Sequence, residues 1–333
     1  MLKSIAAPAT NDRSPRYCEK ALAAIHQALA PGQTLTLEYG TSQGRVGLFC
    51  RFSGELERVV LGPLLANYPR AMVEDVVEAD DPRTCTTGKF QQWTAELRLE
   101  PEIFPILRHA QFEDLLYRNY ADPADSLLRA VCPTADAQCR VEIIATPAKH
   151  RICRRAEQSV ALLDREFFRH HEDLADYFAR NILHSRQRWV AALLGLAARS
   201  SSRPSREAPM DVTGSRQHDR EADLQAAADK IGGHLFSASI RIHVWSNSKE
   251  TARNRIQEVA GAFGSFTRSR LATFSVSSLR RFSDKSPTCP TFILSHEEIA
   301  TLWHPPTANI GAEKMRVSAF TELEPPAAFY SGK

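Results

Sequence analysis

This sequence has no long apolar run, no nucleotide-binding loop and no short repeated cysteine spacing, and each absence excludes something. The longest uncharged apolar run in its arginine-rich stretch, WVAALLGLAA (189–198), has ten residues. That is half of the roughly 20 needed to span a bilayer, so it reads as a buried helix. The first residues, MLKSIAAPATNDRSPR, lack the apolar core of a secretory signal. Seven scattered cysteines, an odd number, argue for reduced thiols and a cytoplasmic setting. The net charge of +3 is too small to imply a nucleic-acid partner by itself.

Catalytic and cofactor signatures are missing as well. A phosphate-cradling loop needs a glycine five residues before a Gly-Lys pair. Arg83 stands there for Gly88-Lys89, and Ala327 for Gly332-Lys333. No GxGxxG and no GxSxG occurs. Cys132 and Cys139, the pair His150 and Cys153, and the doublet His170-His171 form no closed four-ligand metal set. The expectation is a protein that is not an enzyme, with no catalytic residue, no cofactor, no metal and no small-molecule substrate.

The 333 residues contain 43% hydrophobic and 24% charged side chains, enough for a sizeable core. Residues 1–33 read as a tail, disordered to about residue 15, followed by a helix near 16–30. A first α+β unit spans 34–149. Its TLTLEY and RVGLFCRF strands alternate with period two around the turn GTSQG, a hairpin. A helix over 54–67, strands at 71–79 and 93–99, a helix opened by Asp122-Pro123 and a strand at 139–147 follow.

Residues 150–200 form an arginine-rich helical insertion, and 201–219 a flexible linker low in hydrophobic residues. A second α+β unit spans 220–313. It holds the clearest strand, FSASIRIHV (236–244), whose apolar face alternates with a polar face of Ser237, Ser239, Arg241 and His243, of which Arg241 and His243 are read as solvent-facing. Asn247 and Glu250 are expected to cap the next helix, and 271–279 reads as a strand. An extended tail, 314–333, closes the chain. The mixture suggests an α+β fold of two ferredoxin-like (split βαβ) units with a helical insertion.

Between 151 and 206 lie eleven arginines, no lysine and six acidic residues. Arg151, Arg154, Arg155, Arg165, Arg169, Arg180, Arg186 and Arg188 could contact phosphates of DNA or of an acidic membrane surface, because guanidinium forks suit phosphate oxygens. The plainer reading, a solvated face with Arg–Glu pairs, carries more weight.

The stretch FILSHEEIATLWHPPT (292–307) is the most specific. Ser295 and Glu298 make a capping box, Ile299, Leu302 and Trp303 share a face, and Pro305-Pro306 end the helix. It resembles a segment of DNA-translocating ATPases of the conjugal-transfer and type IV secretion class, relatives of HerA/FtsK-type motors, where such a helix closes a non-catalytic N-terminal region ahead of the motor. EYGTSQGRVGLFCRF, DPADSLLRAV with CRVEIIATPA, and FSASIRIHVWS agree in order, so the likeness covers roughly 34–328. None of that family's nucleotide-binding residues can be carried over, since the sequence ends where the motor would begin. The resemblance implies an accessory platform beside a separately encoded ATPase motor or like subunits, cytoplasmic or peripheral at the inner face of the membrane. Ser295, Glu298, Trp303, His304 and Pro305 would form its hinge helix. The alternative is a direct nucleic-acid-binding module using the 151–206 arginines.

Overall fold

The computed structural model describes residues 1–77, 80–83, 90–114, 119–167, 213–267, 272–277, 279–281, 291–312 and 314–318. Its centre is an antiparallel sheet built on three long strands: β5 (Gln91–Glu100), β8 (Ala137–Pro147) and β9 (Leu235–Ser246). β8 and β9 pair from Ala137↔Ser246 to Pro147↔Phe236. This register stacks Val141 on Ile242 and Ala145 on Ala238, so the period-two pattern of both strands produces one apolar face.

The hairpin of β2 (Leu35–Ser42) and β3 (Arg45–Arg51) extends that face with Leu35, Leu37, Tyr39, Val46, Leu48 and Cys50, all buried. Its two-residue turn has Gln43 at φ 51° and Gly44 at φ 74°. Both are left-handed, as a hairpin turn matching the strand twist requires.

Helices cover the apolar face. α1 (Pro15–Ala28) contributes Cys18, Leu22 and Ile25, and packs against α2 (Glu57–Asn67), which encloses Pro63. α3 (Ala124–Val131) adds Leu127, Leu128 and Val131. The remaining described helices are α4 (His150–Phe167), α5 (Thr213–Gly232), α6 (Lys249–Gly264) and α7 (His296–Leu302). Side chains from sheet and helices form one continuous core. Each large aliphatic group fully buried there contributes about 1.5–3 kcal/mol.

The α+β class holds, but the strands are not divided between two closed units. With β1 (Leu2–Ala6), β4 (Met72–Asp75) and β10 (Thr273–Val276), the sheet order is β10-β5-β9-β8-β2-β3-β1-β4. β9, from the expected second unit, lies between β5 and β8 of the first. Pairing partners are chosen by contacts far apart in sequence, which local periodicity does not encode. β11 (Arg280–Arg281) lies beside β5, β12 (Phe292–Ser295) pairs with β9, and β6 (Glu113–Asp114) pairs with β7 (Asn119–Tyr120).

Residues 1–15 are not a disordered tail. β1 runs between β3 and β4, with Ile5 opposite both Leu48 and Val73. Five residues are too few to register as alternation. Of the expected strand at 71–79, the described residues 71–77 are regular over Met72–Asp75, and 78–79 lie outside the described residues. The cap of α6 is Ser248, whose side chain accepts from Thr251 N, rather than Asn247. α5 already begins at Thr213, inside the expected linker. Beyond α7 the chain crosses back over the hairpin, where Arg316 N donates to Val46 O. Among the described residues no helix is long and apolar enough to cross a membrane.

Candidate functional site

Ser295 and Glu298 form the expected capping box: Ser295 Oγ accepts from Glu298 N at 3.2 Å, and Glu298 Oε2 accepts from Ser295 N at 2.7 Å. The box also does something the sequence did not announce. Glu298 Oε1 accepts from Ile106 N at 2.9 Å and meets Lys230 Nζ at 3.1 Å, with both charged side chains fully buried. Trp303 donates its indole N–H to Glu38 O at 3.2 Å, and Tyr39 donates to Leu302 O at 2.8 Å.

His304 is fully buried, bridging Ala300 O and Asp122 Oδ1 at 2.9 and 3.0 Å. Asp122 also accepts from Ala124 N and from both donors of Thr307. Burial alone would raise this carboxyl, but His304 and the Thr307 donors outweigh it and hold it at about 2. The carbonyls of Pro305 and Pro306 receive Asn11 Nδ2. Thus residues 292–307 tie β9, β2, α3 and the N-terminal segment together. Pro305 and its neighbours sit in the core.

The other sheet face carries a second buried polar group. Arg140 Nη2 meets Glu142 Oε2 at 2.5 Å, and His243 lies 3.1 Å from Glu142 Oε1 and 3.0 Å from Thr94 Oγ1. Glu38, fully buried, receives Arg51 Nε at 2.9 Å, and Arg51 also grips Asp81. His243 is only 4% exposed, so the expectation that it faces solvent is corrected. Arg241 is about one third exposed and lies 3.6 Å from Glu142. Solvent is kept from this face partly by Pro82, which packs so closely on Gly40 that a Cβ there would meet it at 2.6 Å. Burial opposes the Glu142 charge, yet the His243 hydrogen bond and Arg140 hold that carboxyl at about 2, while burial pushes His243 down. These ion pairs interlock β2, β3, β8 and β9.

A third cluster is more accessible. Glu19 of α1, His109 of a short 3-10 turn (His109–Phe112) and Glu297 of α7 bring one ligand atom each within 4.8 Å of the others. Glu19 Oε2 lies 3.0 Å from His109 Nε2, and Glu19 Oε1 lies 3.6 Å from His296 Nε2. Arg108 Nη1 donates to Glu297 Oε2 at 2.9 Å. The rings of His296, His234 and His26 follow in a row, with centroids 5.2 and 4.9 Å apart. The His109 hydrogen bond lowers Glu19, burial raises Glu297 despite Arg108, and burial lowers His296 and His26. His109 also lines a cleft of about 590 Å³ together with Arg16, Tyr120 and Thr307. Among the described residues these are the side chains able to hold a metal. No local spacing reveals them, because Glu19 and His109 are 90 residues apart.

The arginines expected to contact a partner are only partly described. Arg151 and Arg154 are exposed on α4, and Arg155 is half-buried. Arg165 belongs to the same helix. Arg169, Arg180, Arg186 and Arg188 lie outside the described residues, as do His170 and His171. Cys18, Cys50, Cys132, Cys139 and Cys153 are free thiols.

Residues 93–315, spanning β5 through α7 and the strand-crossing segment, match a family model described as Domain of unknown function (DUF8128). The chain belongs to that family. The matched region contains β8, β9, the keystone helix α7, and two of the three residues of the accessible cluster, His109 and Glu297. Glu19 and the β1–β4 half of the sheet lie ahead of it. Among curated proteins, none matches the chain.

Proposed function

We propose that the chain is a non-enzymatic platform acting through protein–protein contacts beside a DNA-translocating motor of the conjugal-transfer or type IV secretion class, on the cytoplasmic side and peripheral to the membrane. The observation carrying this reading is the role of residues 295–305. Most of the segment bearing the resemblance is used for internal packing, with Trp303 and His304 fully buried, as a framework region requires. The sheet margins support contact with a partner. Met72 on β4, Val77 just beyond it and Val276 on β10 are exposed apolar side chains at its two outer strands, where unpaired backbone groups can accept another chain. In this reading the α7 segment serves as the rigid base of a hinge to the motor.

The test is affinity purification of the full chain from its native cell, with mass spectrometry of what is retained. Retention of a P-loop ATPase at fixed stoichiometry is the expected result. A chain that purifies alone, or that hydrolyses ATP by itself, overturns the proposal. Exposure of Arg151 and Arg154 on α4 favours a second reading, direct binding of nucleic acid.

A further inference from the structure

We propose that Glu19, His109 and Glu297 form a three-residue binding site for a divalent transition-metal ion such as Zn²⁺, its fourth position open to water. Three separate elements, α1, the 3-10 turn at His109 and the first turn of α7, deliver ligand atoms that all lie within 4.8 Å. A tetrahedral ion with bonds of about 2.0–2.2 Å sets its ligands roughly 3.3–3.6 Å apart. Glu19 Oε2 and His109 Nε2, 3.0 Å apart, stand slightly closer than that spacing.

The surroundings fit an ion in two further ways. Arg108, bound to Glu297, is placed to orient that carboxylate from behind, as a supporting group around a metal does. Access is also provided, since the three side chains are between 11% and 28% exposed and His109 forms part of the wall of the neighbouring cleft. The donor set, one imidazole and two carboxylates without a thiolate, selects zinc, manganese or iron(II) over magnesium or calcium, which prefer oxygen alone. The inference stands independently of the platform reading.

Isothermal titration of the full chain with ZnCl₂, and absorption spectroscopy with CoCl₂ as a probe, test it. The expected result is one equivalent bound, with the intense visible d–d bands of four-coordinate cobalt and no thiolate-to-metal charge-transfer band. His109→Ala and Glu297→Gln are expected to weaken binding by about a hundredfold or more, since even supporting residues are worth tenfold to a hundredfold. Glu297→Gln retains the side-chain shape and an acceptor for Arg108, and decides the matter should His109→Ala not fold by circular dichroism. No binding at micromolar metal, a thiolate charge-transfer band, or unchanged affinity in folded Glu297→Gln overturns the proposal.

Discussion

Lys230 and Glu298 form an ion pair 3.1 Å apart in which neither side chain reaches solvent. Lys230 also donates to the carbonyls of Glu102 and Phe104 at 2.8 and 3.0 Å, so the ammonium has three partners. Burial pushes its pKa down, and the Glu298 charge opposes that. A buried charge whose partner is removed keeps its desolvation cost. Glu298→Gln is therefore expected to destabilise the fold by about 3–5 kcal/mol. Paired with Lys230→Met, it should recover part of that loss. Urea midpoints at constant m-value measure both; a Glu298→Gln midpoint equal to wild type contradicts the placement.

Asp122 and Glu142 predict acid sensitivity of a definite sign. Their folded-state values of about 2 lie below the ordinary 3.8 and 4.5. For a depressed carboxyl the stabilisation is complete above the unfolded value and disappears as pH falls through the folded one. The melting temperature should therefore be insensitive to these groups above about pH 5 and fall between about pH 4.5 and 2. Asp122 contributes about 2 kcal/mol of this, and Asp122→Asn should flatten the slope. A profile that is level down to pH 2 refutes the assignment.

Ile5 distinguishes a paired strand from a loose tail. At 3% exposure, opposite Leu48 and Val73, it is a core side chain. Ile5→Ala is expected to cost about 2–5 kcal/mol. A change near zero in denaturant unfolding would mean that β1 does not form. Hydrogen exchange offers a second check, with the Ile5 amide, which faces β3, slow.

Arg151 and Arg154 decide the nucleic-acid reading. If α4 contacts phosphates, affinity for duplex DNA falls steeply with salt, and the log–log slope drops by about 0.9 for each contact removed. The double variant Arg151→Ala/Arg154→Ala should shift that slope and leave the unfolding midpoint unchanged. Failure of the full chain to bind DNA at low salt eliminates the reading.

Much of the fold was legible locally. The alternation in FSASIRIHV and CRVEIIATP marked β9 and β8, because burial on one face imposes period two. GTSQG marked the hairpin turn, because left-handed backbone at Gln43 and Gly44 suits a small polar loop. Ser295 and Glu298 marked the start of α7, because capping is settled within four residues. β1 was not legible: its stability comes from two neighbours, β3 and β4, that lie tens of residues away. The same reason hid the solvent-free position of His243, which looked like an exposed residue on a half-buried strand until Thr94 and Glu142 closed around it.

By itself, then, the amino-acid order determined the class, the capping box of α7, the turn and the apolar faces, since each depends on neighbours along the chain. Only the tertiary structure decided that β9 sits between β5 and β8, that Glu298 finds Lys230, and that Glu19, His109 and Glu297 converge. Those outcomes depend on which distant surfaces exclude water from each other, and charged or metal-binding groups carry no periodic signature that announces their partners.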